Sequence, residues 1–485
     1  MSLRVLFAAS EAAPLSKTGG LADVASALPA ALQGLGCDLR VVTPAYRGAL
    51  DTLAQRRRVA DIVLQRLPIT IWEGQVEAGG PLQWLVDCPE LYHRQGSLYT
   101  DAHGNEYADN AQRYGIFGEL VARLALGQNG IGWRPEVVHL NDWHTGLAAA
   151  WLAEAIQRPA CVFTIHNLAY QGNFPPEQLA ALDLPAVRMI PGALEFQGQV
   201  SFLKAGLVCA DALTTVSPTY AQEIQTSEFG EGMDAILRSR ASVLTGIVNG
   251  IDDDTWNPAT DRFIPRRFDA RCVDEGKLAN RRALQPRLGF ELDDRSLLVV
   301  FIGRLAHQKG ADLLLAPEAA IDREGVQFAL LGAGDPELEQ AFAYFARRRP
   351  GRIAATFTFD EALAHLMEAA ADALVMPSRF EPCGLNQMYS QRYGTVPVVR
   401  RTGGLVDTVT DATPATLASG TATGVSFDHA DVGGVAYGIG RAMELRQQRQ
   451  VWSALQRNGM RHDFSWAAVA HRYIEVYRRI GPHRN

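Results

Sequence analysis

Three clusters in the sequence combine glycines with full charges where a strand pattern gives way to a helix pattern. The run Phe301-Ile302-Gly303-Arg304-Leu305-Ala306-His307-Gln308-Lys309-Gly310 follows an apolar stretch and precedes a helical one. Two cations on a glycine-bounded loop suit a diphosphate, Arg304 as a planar fork and Lys309 as a point charge. Such a loop lies at the carboxyl edge of a parallel sheet, where α/β folds take their ligands. Solvated surface charge is the competing reading. Leu331-Gly332-Ala333-Gly334-Asp335 ends the next strand in the same way. In Pro377-Ser378-Arg379-Phe380-Glu381-Pro382-Cys383-Gly384-Leu385 a carboxylate, Glu381, sits just before a helix expected to start near Gly384. It either caps that helix or holds sugar hydroxyls and stabilises developing positive charge.

A fourth feature is repeated. Lys17-Thr18-Gly19-Gly20-Leu21-Ala22-Asp23 is echoed by Arg401-Thr402-Gly403-Gly404-Leu405-Val406-Asp407. Paired glycines let backbone N–H groups approach an anion, and a helix N-terminus adds partial positive charge. Neither copy is a Walker A or a GxGxxG sequence, so a P-loop nucleotidase and a dinucleotide oxidoreductase lose support. A tight strand–helix turn explains either copy alone. Together they suggest two similar α/β domains with corresponding loops, with chance recurrence of Gly-Gly as the alternative. The N-terminal half adds His139-Leu140-Asn141-Asp142-Trp143-His144 and Phe163-Thr164-Ile165-His166-Asn167-Leu168-Ala169-Tyr170 at strand ends. Polar groups interleaved with aromatic rings suit carbohydrate. Taken singly, His144 and His166 read more readily as structural, and His139 with His144 lacks a third metal ligand. Asp252–Asp254 has DxD spacing, but a polar turn explains the same acids.

These clusters need strands to carry them. Short apolar runs predict strands at Arg4–Ala9, Leu39–Thr43, Leu82–Val86, Val137–Leu140, Cys161–Ile165 and Ala212–Val216, then at Leu244–Val248, Leu297–Ile302, Gln327–Leu331, Ile353–Phe357, Ala373–Met376 and Val396–Val399. Helical patterns between them make an α/β chain with doubly covered parallel sheets. The turn-rich stretch Val248–Pro258 marks a domain boundary. Trp466–Arg479 reads as a helix with Val469, Tyr473, Val476 and Tyr477 near one face.

Composition bounds the function. The chain has 485 residues, 47% of them hydrophobic, and 46 Lys+Arg against 53 Asp+Glu leave a net charge of −7. A mildly acidic chain argues against nucleic-acid binding, and the runs Arg56–Arg58 and Arg347–Arg349 read as solvated helix or loop faces. Cys37, Cys88, Cys161, Cys209, Cys272 and Cys383 include no CxxC pair and read as reduced thiols of a cytoplasmic protein. No apolar run approaches the roughly 18 residues of a membrane span. The first apolar run is short and is followed by Glu11, as a first strand rather than a signal peptide would be.

Together the clusters closely resemble the bacterial glycogen synthase and plant starch synthase family. The match comprises residues 17–23, Asp142-Trp143, Thr164 to Gly172, Asn249-Gly250-Ile251-Asp252 with Trp256, Arg304, Gln308-Lys309-Gly310, Ser378 to Leu385 and Thr402-Gly403-Gly404-Leu405, in order from about Arg4 to about Tyr477. The resemblance implies a GT-B fold: two Rossmann-like domains (1–247 on the acceptor side, 248–457 on the nucleotide-sugar side) facing a cleft, with residues 458–485 crossing back to the first. It implies transfer of glucose from ADP-glucose to the non-reducing end of an α-1,4-glucan with retention, without metal or other cofactor and without membrane or nucleic-acid partners.

Carried over by position, Arg304 and Lys309 neutralise the departing diphosphate, helped by amides near Gly19, Gly384 and Leu385 and by Lys17. Gly20, Cys383, Thr402 and Gly403 fall on the same donor side. Glu381 and His166 contact the donor glucose. Glu11, Tyr92, Asp142 and Asn167 line the acceptor side, with Asp142 also counted among the catalytic groups. Phe359 stands where relatives often have a Tyr stacked on adenine. Many retaining GT-B enzymes carry a second Glu eight positions after the first; here that position is Tyr389, so Glu381 acts without that partner. No residue suggests itself as a covalent nucleophile, which leaves a same-face displacement. Because Lys17 and Glu381 belong to different domains, domain closure is expected to complete the site. The alternatives are a related transferase using UDP-glucose, which donor preference separates, and a catalytically silent glucan-binding protein, which would be expected to lose these charges.

Overall fold

The computed structural model describes residues 2–128, 130–179, 182, 192, 194–316 and 321–481. The chain forms two compact units, Met1–Val216 with Ala221–Gly250 and Trp466–Asn485, and Ser217–Tyr220 with Ile251–Ser465. Residues 458–465 therefore stay with the second unit. A boundary at 457 would cut the helix Arg449–Arg461, whose Trp452, Leu455 and Met460 are buried in that unit's cores.

The first unit is built on a nine-stranded sheet. Its spatial order is Leu244–Gly246, Ala212–Thr215, Ala160–Ile165, Val137–Asn141, Arg4–Ala8, Asp38–Pro44, Leu82–Asp87, Leu67–Gln75, Ala54–Leu64. All neighbours are parallel up to Leu82–Asp87, and the last two strands add an antiparallel edge. Central strands such as Val137–Asn141 and Ala160–Ile165 are buried along their whole length, which is why they read as unbroken apolar runs. Chain order reverses between Arg4–Ala8 and Val137–Asn141, so the loops leaving those two strands open on one crevice. They carry Glu11 to Gly19 and Asp142. A small separate sheet joins Asn173–Phe174, Gln199–Ser201 and Glu195–Phe196.

In the second unit six parallel strands lie in the order Ile353–Thr356, Val326–Leu331, Leu297–Ile302, Ala373–Met376, Val396–Arg400, Val425–Phe427. Numbered along the unit this is 3-2-1-4-5-6, the order of dinucleotide-binding folds. The switch point lies between Leu297–Ile302 and Ala373–Met376, whose loops are the Arg304–Lys309 and Glu381 clusters.

The two Gly-Gly copies are not corresponding loops. One opens the helix Gly20–Gly34 after the first strand of its unit, and the other opens Gly403–Thr408 after the fifth strand of the second sheet. Arg56–Arg58 lie on an edge strand, not a helix or loop. Arg57 pairs across the hairpin with Glu73 at 2.5 Å, and Arg56 and Arg58 hold Asp51 and Asp61. The acids at Asp252–Asp254 form the polar turn: Asp252 Oδ1 accepts from the amides of Asp254 and Thr255, each at 3.1 Å. The helix Trp466–Ile480 returns to the first unit, where Trp466, Ala470, Tyr473 and Tyr477 enter the core beside Leu28 and Leu32.

Candidate active site

At the switch point of the second sheet, Glu381 is 4% exposed, and its Oε2 accepts from Lys309 Nζ at 2.6 Å and from Ser378 Oγ at 3.0 Å. The carboxylate is thus not the cap of the following helix, which starts at Asn386 with Leu385 as N-cap. Arg304 is exposed, and among the described residues its guanidinium has no hydrogen-bond or ion-pair partner. Gly310, at φ 65°, lets the first loop touch the second; a Cβ there would sit 2.2 Å from Pro377 O. Gly404 packs as closely on Cys383, and its amide donates to Glu381 O at 3.0 Å. The second Gly-Gly turn therefore holds the Glu381 segment in place. Thr402 and Cys383 are buried beside it, and Arg401 is held by Asp428 at 3.1 Å. Gly384 takes φ 71°. Among the described residues the amides of Gly384 and Leu385 donate to no protein acceptor, which leaves them for a ligand. Phe359 is 84% exposed, an open ring face.

In the first unit, Glu11 is buried and its Oε2 accepts from Thr18 N at 2.6 Å and Thr18 Oγ1 at 2.8 Å, pinning the turn before Gly19 and Gly20. Burial raises its carboxyl above the usual range, against the pull of these bonds. Lys17 Nζ lies 2.6 Å from Asp23 Oδ1. Asp142 adopts φ 55°, a left-handed conformation rare for a residue with a side chain, at the start of the helix Trp143–Ala153. Its Oδ1 accepts from His166 N at 2.8 Å, yet burial pushes its carboxyl up to about 7. His166 Nε2 donates to Asn141 Oδ1 at 2.9 Å, and burial lowers that imidazole to about 3, so it is neutral at pH 7. Asn167 follows, half-buried, with Oδ1 on Ala169 N at 3.1 Å.

Other predicted positions serve packing. Tyr92 is 1% exposed, and its hydroxyl donates to Arg113 O at 3.0 Å, so it is enclosed rather than lining a crevice. Tyr99 stands nearer the first-strand loop: it is half-buried, its hydroxyl lies 2.8 Å from Ser10 Oγ, and burial together with the charge of Glu11 raises that hydroxyl well above its usual range. Nothing in its polar loop, Gln95 to Thr100, marks it out by sequence. Asn141 and Asp23 were also missed, although both stand inside the quoted motifs. His139 spends both nitrogens, on Tyr477 Oη at 2.7 Å and Thr164 Oγ1 at 2.6 Å, and His144 stacks on Trp143 at 3.9 Å. Tyr389 lies against Trp256, ring centroids 4.0 Å apart, and Trp256 stacks on His365 at 3.9 Å.

Two Rossmann-like units, each carrying polar and charged loops at its switch point, with a lysine paired to a buried carboxylate in the second, have the architecture of a glycosyltransferase of the GT-B class. The starch synthase catalytic domain family matches residues 4–239, and glycosyl transferases group 1 matches residues 287–458. Glycogen synthase 1 of Methylococcus capsulatus is 47% identical over 476 residues, covering 98% of this chain and 96% of that protein. Glycogen synthase of Burkholderia thailandensis is 47% identical over 487 residues, covering 99% and 91%. The catalytic domain of starch synthase IV from Arabidopsis thaliana, solved with ADP and acarbose bound, superimposes with a TM-score of 0.88 at 33% identity and covers 99% of each chain. Sucrose-phosphate synthase from Thermosynechococcus elongatus shares the fold, with a TM-score of 0.59 at 17% identity. This chain belongs to the glycogen synthase and starch synthase family. Among the described residues no helix is long and apolar enough to cross a membrane.

Proposed function

We propose that this glycosyltransferase moves glucose from ADP-glucose to the non-reducing end of an α-1,4-glucan, retaining the anomeric configuration. The observation that carries this reading is the buried Glu381 paired with the half-buried Lys309 at the switch point, on whose loop Arg304 has no partner among the described residues. The relative solved with ADP and acarbose, at 33% identity, supports the choice of nucleotide and of an oligosaccharide-like acceptor.

In the proposed step the glucose C1–O bond to the β-phosphate breaks and its electron pair leaves with ADP. The acceptor oxygen forms the new bond to C1 on the same face, and its proton passes to the departing phosphate. Arg304, Lys309 and the amides of Gly384 and Leu385 stabilise the charge growing on the diphosphate. Lys17, Gly19, Gly20, Thr402, Gly403 and Cys383 are assigned to the donor's surroundings, and Phe359 offers its open face to the base. Glu381 takes donor hydroxyls and faces the positive charge developing at C1. His166, neutral at pH 7, offers Nδ1 as an acceptor; Glu11, Asp142, Asn167 and Tyr99 bind the glucan. Side-chain cations supply the positive charge, so no metal or other cofactor is invoked. The six cysteines, which form no disulfide among the described residues, fit a cytoplasmic enzyme.

The test is elongation of glycogen or maltooligosaccharide by purified protein with ADP-glucose and UDP-glucose in parallel. ADP release with chains growing by single glucose units is expected. Turnover with UDP-glucose alone would overturn the nucleotide assignment, and binding of glucan without turnover would overturn transfer. Capture of a glycosyl-enzyme with a slow donor analogue would sink the same-face displacement.

A further inference from the structure

Lys309 and Glu381 are not the only charges that join the two switch-point loops. Arg379, two residues before Glu381, reaches back across the same gap. Its Nη1 and Nη2 donate to the two carboxylate oxygens of Asp312, at 2.8 and 2.7 Å, and Nη1 also donates to His307 O at 2.8 Å. Its own amide donates to Gln308 O at 2.8 Å, and Gln308 Nε2 returns a bond to Phe380 O at 3.3 Å. Asp312 lies in the short turn Ala311–Leu314 directly after Gly310, and the Arg379 guanidinium holds its carboxyl below the usual range. The loops thus carry two ion pairs of opposite polarity: Lys309 to Glu381, and Asp312 to Arg379.

The two pairs face different fates. Lys309 cannot neutralise a departing diphosphate and keep its full interaction with Glu381, so a bound donor draws on the first pair. The second pair touches no group assigned to substrate. An Arg–carboxylate fork fixes distance and angle together, which a single lysine contact does not. We infer that Arg379 and Asp312 are positioning residues, a clamp that keeps the Lys309 loop and the Glu381 loop in register while Lys309 turns from Glu381 to the diphosphate. The inference rests on the transfer reading of the Glu381 site. Its consequence is kinetic: Arg304 still captures the ground-state diphosphate without the clamp, whereas charge stabilisation at the moment of transfer needs both loops in place.

The experiment measures kcat and donor KM for Arg379→Lys, Asp312→Asn, Arg379→Ala, Asp312→Ala and the double alanine variant, each scaled to the fraction folded by thermal unfolding. Arg379→Lys keeps charge and fold but loses the fork. We expect kcat to fall about 10- to 100-fold with donor KM changed less than about threefold, and the double variant to be no worse than its worse single. In a Glu381→Gln background, further loss of Arg379 should cost less than about threefold, because the group being positioned is already gone. A rise in KM at unchanged kcat, additive losses, or an undiminished Arg379 effect in the Glu381→Gln background would overturn the clamp, as would wild-type kcat in Arg379→Lys and Asp312→Asn. If the wild type works only from UDP-glucose, the same split is read with that donor and the clamp stands or falls on it. A wild type inert with every nucleotide-glucose overturns the transfer reading and the clamp with it.

Discussion

Lys309 and Glu381, 2.6 Å apart, are largely withdrawn from solvent, and neither is replaceable by a neutral residue without orphaning the other. Lys309→Ala is expected to lower kcat by about 10²- to 10³-fold, the range seen when one preorganised charge stabiliser is removed; steady-state kinetics with ADP-glucose checks it. The rate should be unchanged by a chelator, and loss of activity with EDTA that added metal restores would refute the role given to Arg304 and Lys309. Asp142 supplies a pH signature. Its carboxyl titrates at about 7 when folded and near 3.9 when unfolded, so between those values the folded state keeps a proton the unfolded state has lost. Stability contributed at this position therefore falls as pH rises through that window and stays low above it. His139 and His166 act in the opposite sense. Their folded values near 3 lie below the unfolded value of about 6.5, so stability is lost as pH falls through that interval. Asp142→Asn should gain in Tm over the wild type as pH rises from about 5 to about 8, read by thermal unfolding across a pH series. A constant gap would mean that Asp142 does not titrate there.

At the scale of elements, the site depends on loops brought closer than side chains normally allow. Gly404 and Gly310 matter because a Cβ at either would meet a backbone oxygen 2.2 Å away, Cys383 O in one case and Pro377 O in the other. Gly404→Ala should push the Glu381 segment off the turn that holds it and abolish most activity. Gly420→Ala provides the control. Its φ of 70° brings strain of about 1 kcal/mol, but nothing lies within 4 Å of its Cβ, so activity should stay near wild type. Comparing kcat and Tm of the two variants separates close approach from backbone strain. The elements that carry these loops were legible. The strands Leu297–Ile302 and Ala373–Met376 occur at the residues predicted, because doubly buried strands announce themselves as apolar runs between turn residues. The edge strand Ala54–Leu64 was not legible. Its exposed face and its three arginines carry no buried stripe, and its identity comes from pairing with Leu67–Gln75, sixteen residues away in the case of Arg57 and Glu73.

At the scale of the whole molecule, the C-terminal helix makes the first unit discontinuous in sequence. Tyr473 and Tyr477 are fully buried in its core, and Tyr477 Oη meets His139 Nδ1 at 2.7 Å on a central strand. Tyr477→Phe leaves that buried ring nitrogen unpaired and should cost about 1–3 kcal/mol of stability, measured by denaturant unfolding. Ending the chain at Ser465 should cost far more, since Trp466, Ala470, Tyr473 and Tyr477 all leave the core together. Hydrogen exchange on the strand Val137–Asn141 should then accelerate to near the rate of an open chain, whereas exchange on Leu297–Ile302 in the second unit should hold.

The α/β class, the strand–loop–helix rhythm and the charged glycine loops could be read from the chain because each is local: a doubly buried strand shows its burial as composition, and a ligand loop shows its chemistry within ten residues. The family, too, was carried by short ordered motifs. What only the tertiary structure decided is which loops share a crevice and which charges are already spent. Strand order put the Arg304 and Glu381 loops, about seventy residues apart, at one switch point and left the two Gly-Gly copies at unlike places. Packing enclosed Tyr92 and turned Tyr99 toward Ser10 and Glu11, a choice that depends on what surrounds each ring. It also paired Lys17 with Asp23 and Arg379 with Asp312 while leaving Arg304 without a partner among the described residues. Partnership across space follows from the path of the backbone, and residue spacing along the chain does not encode it.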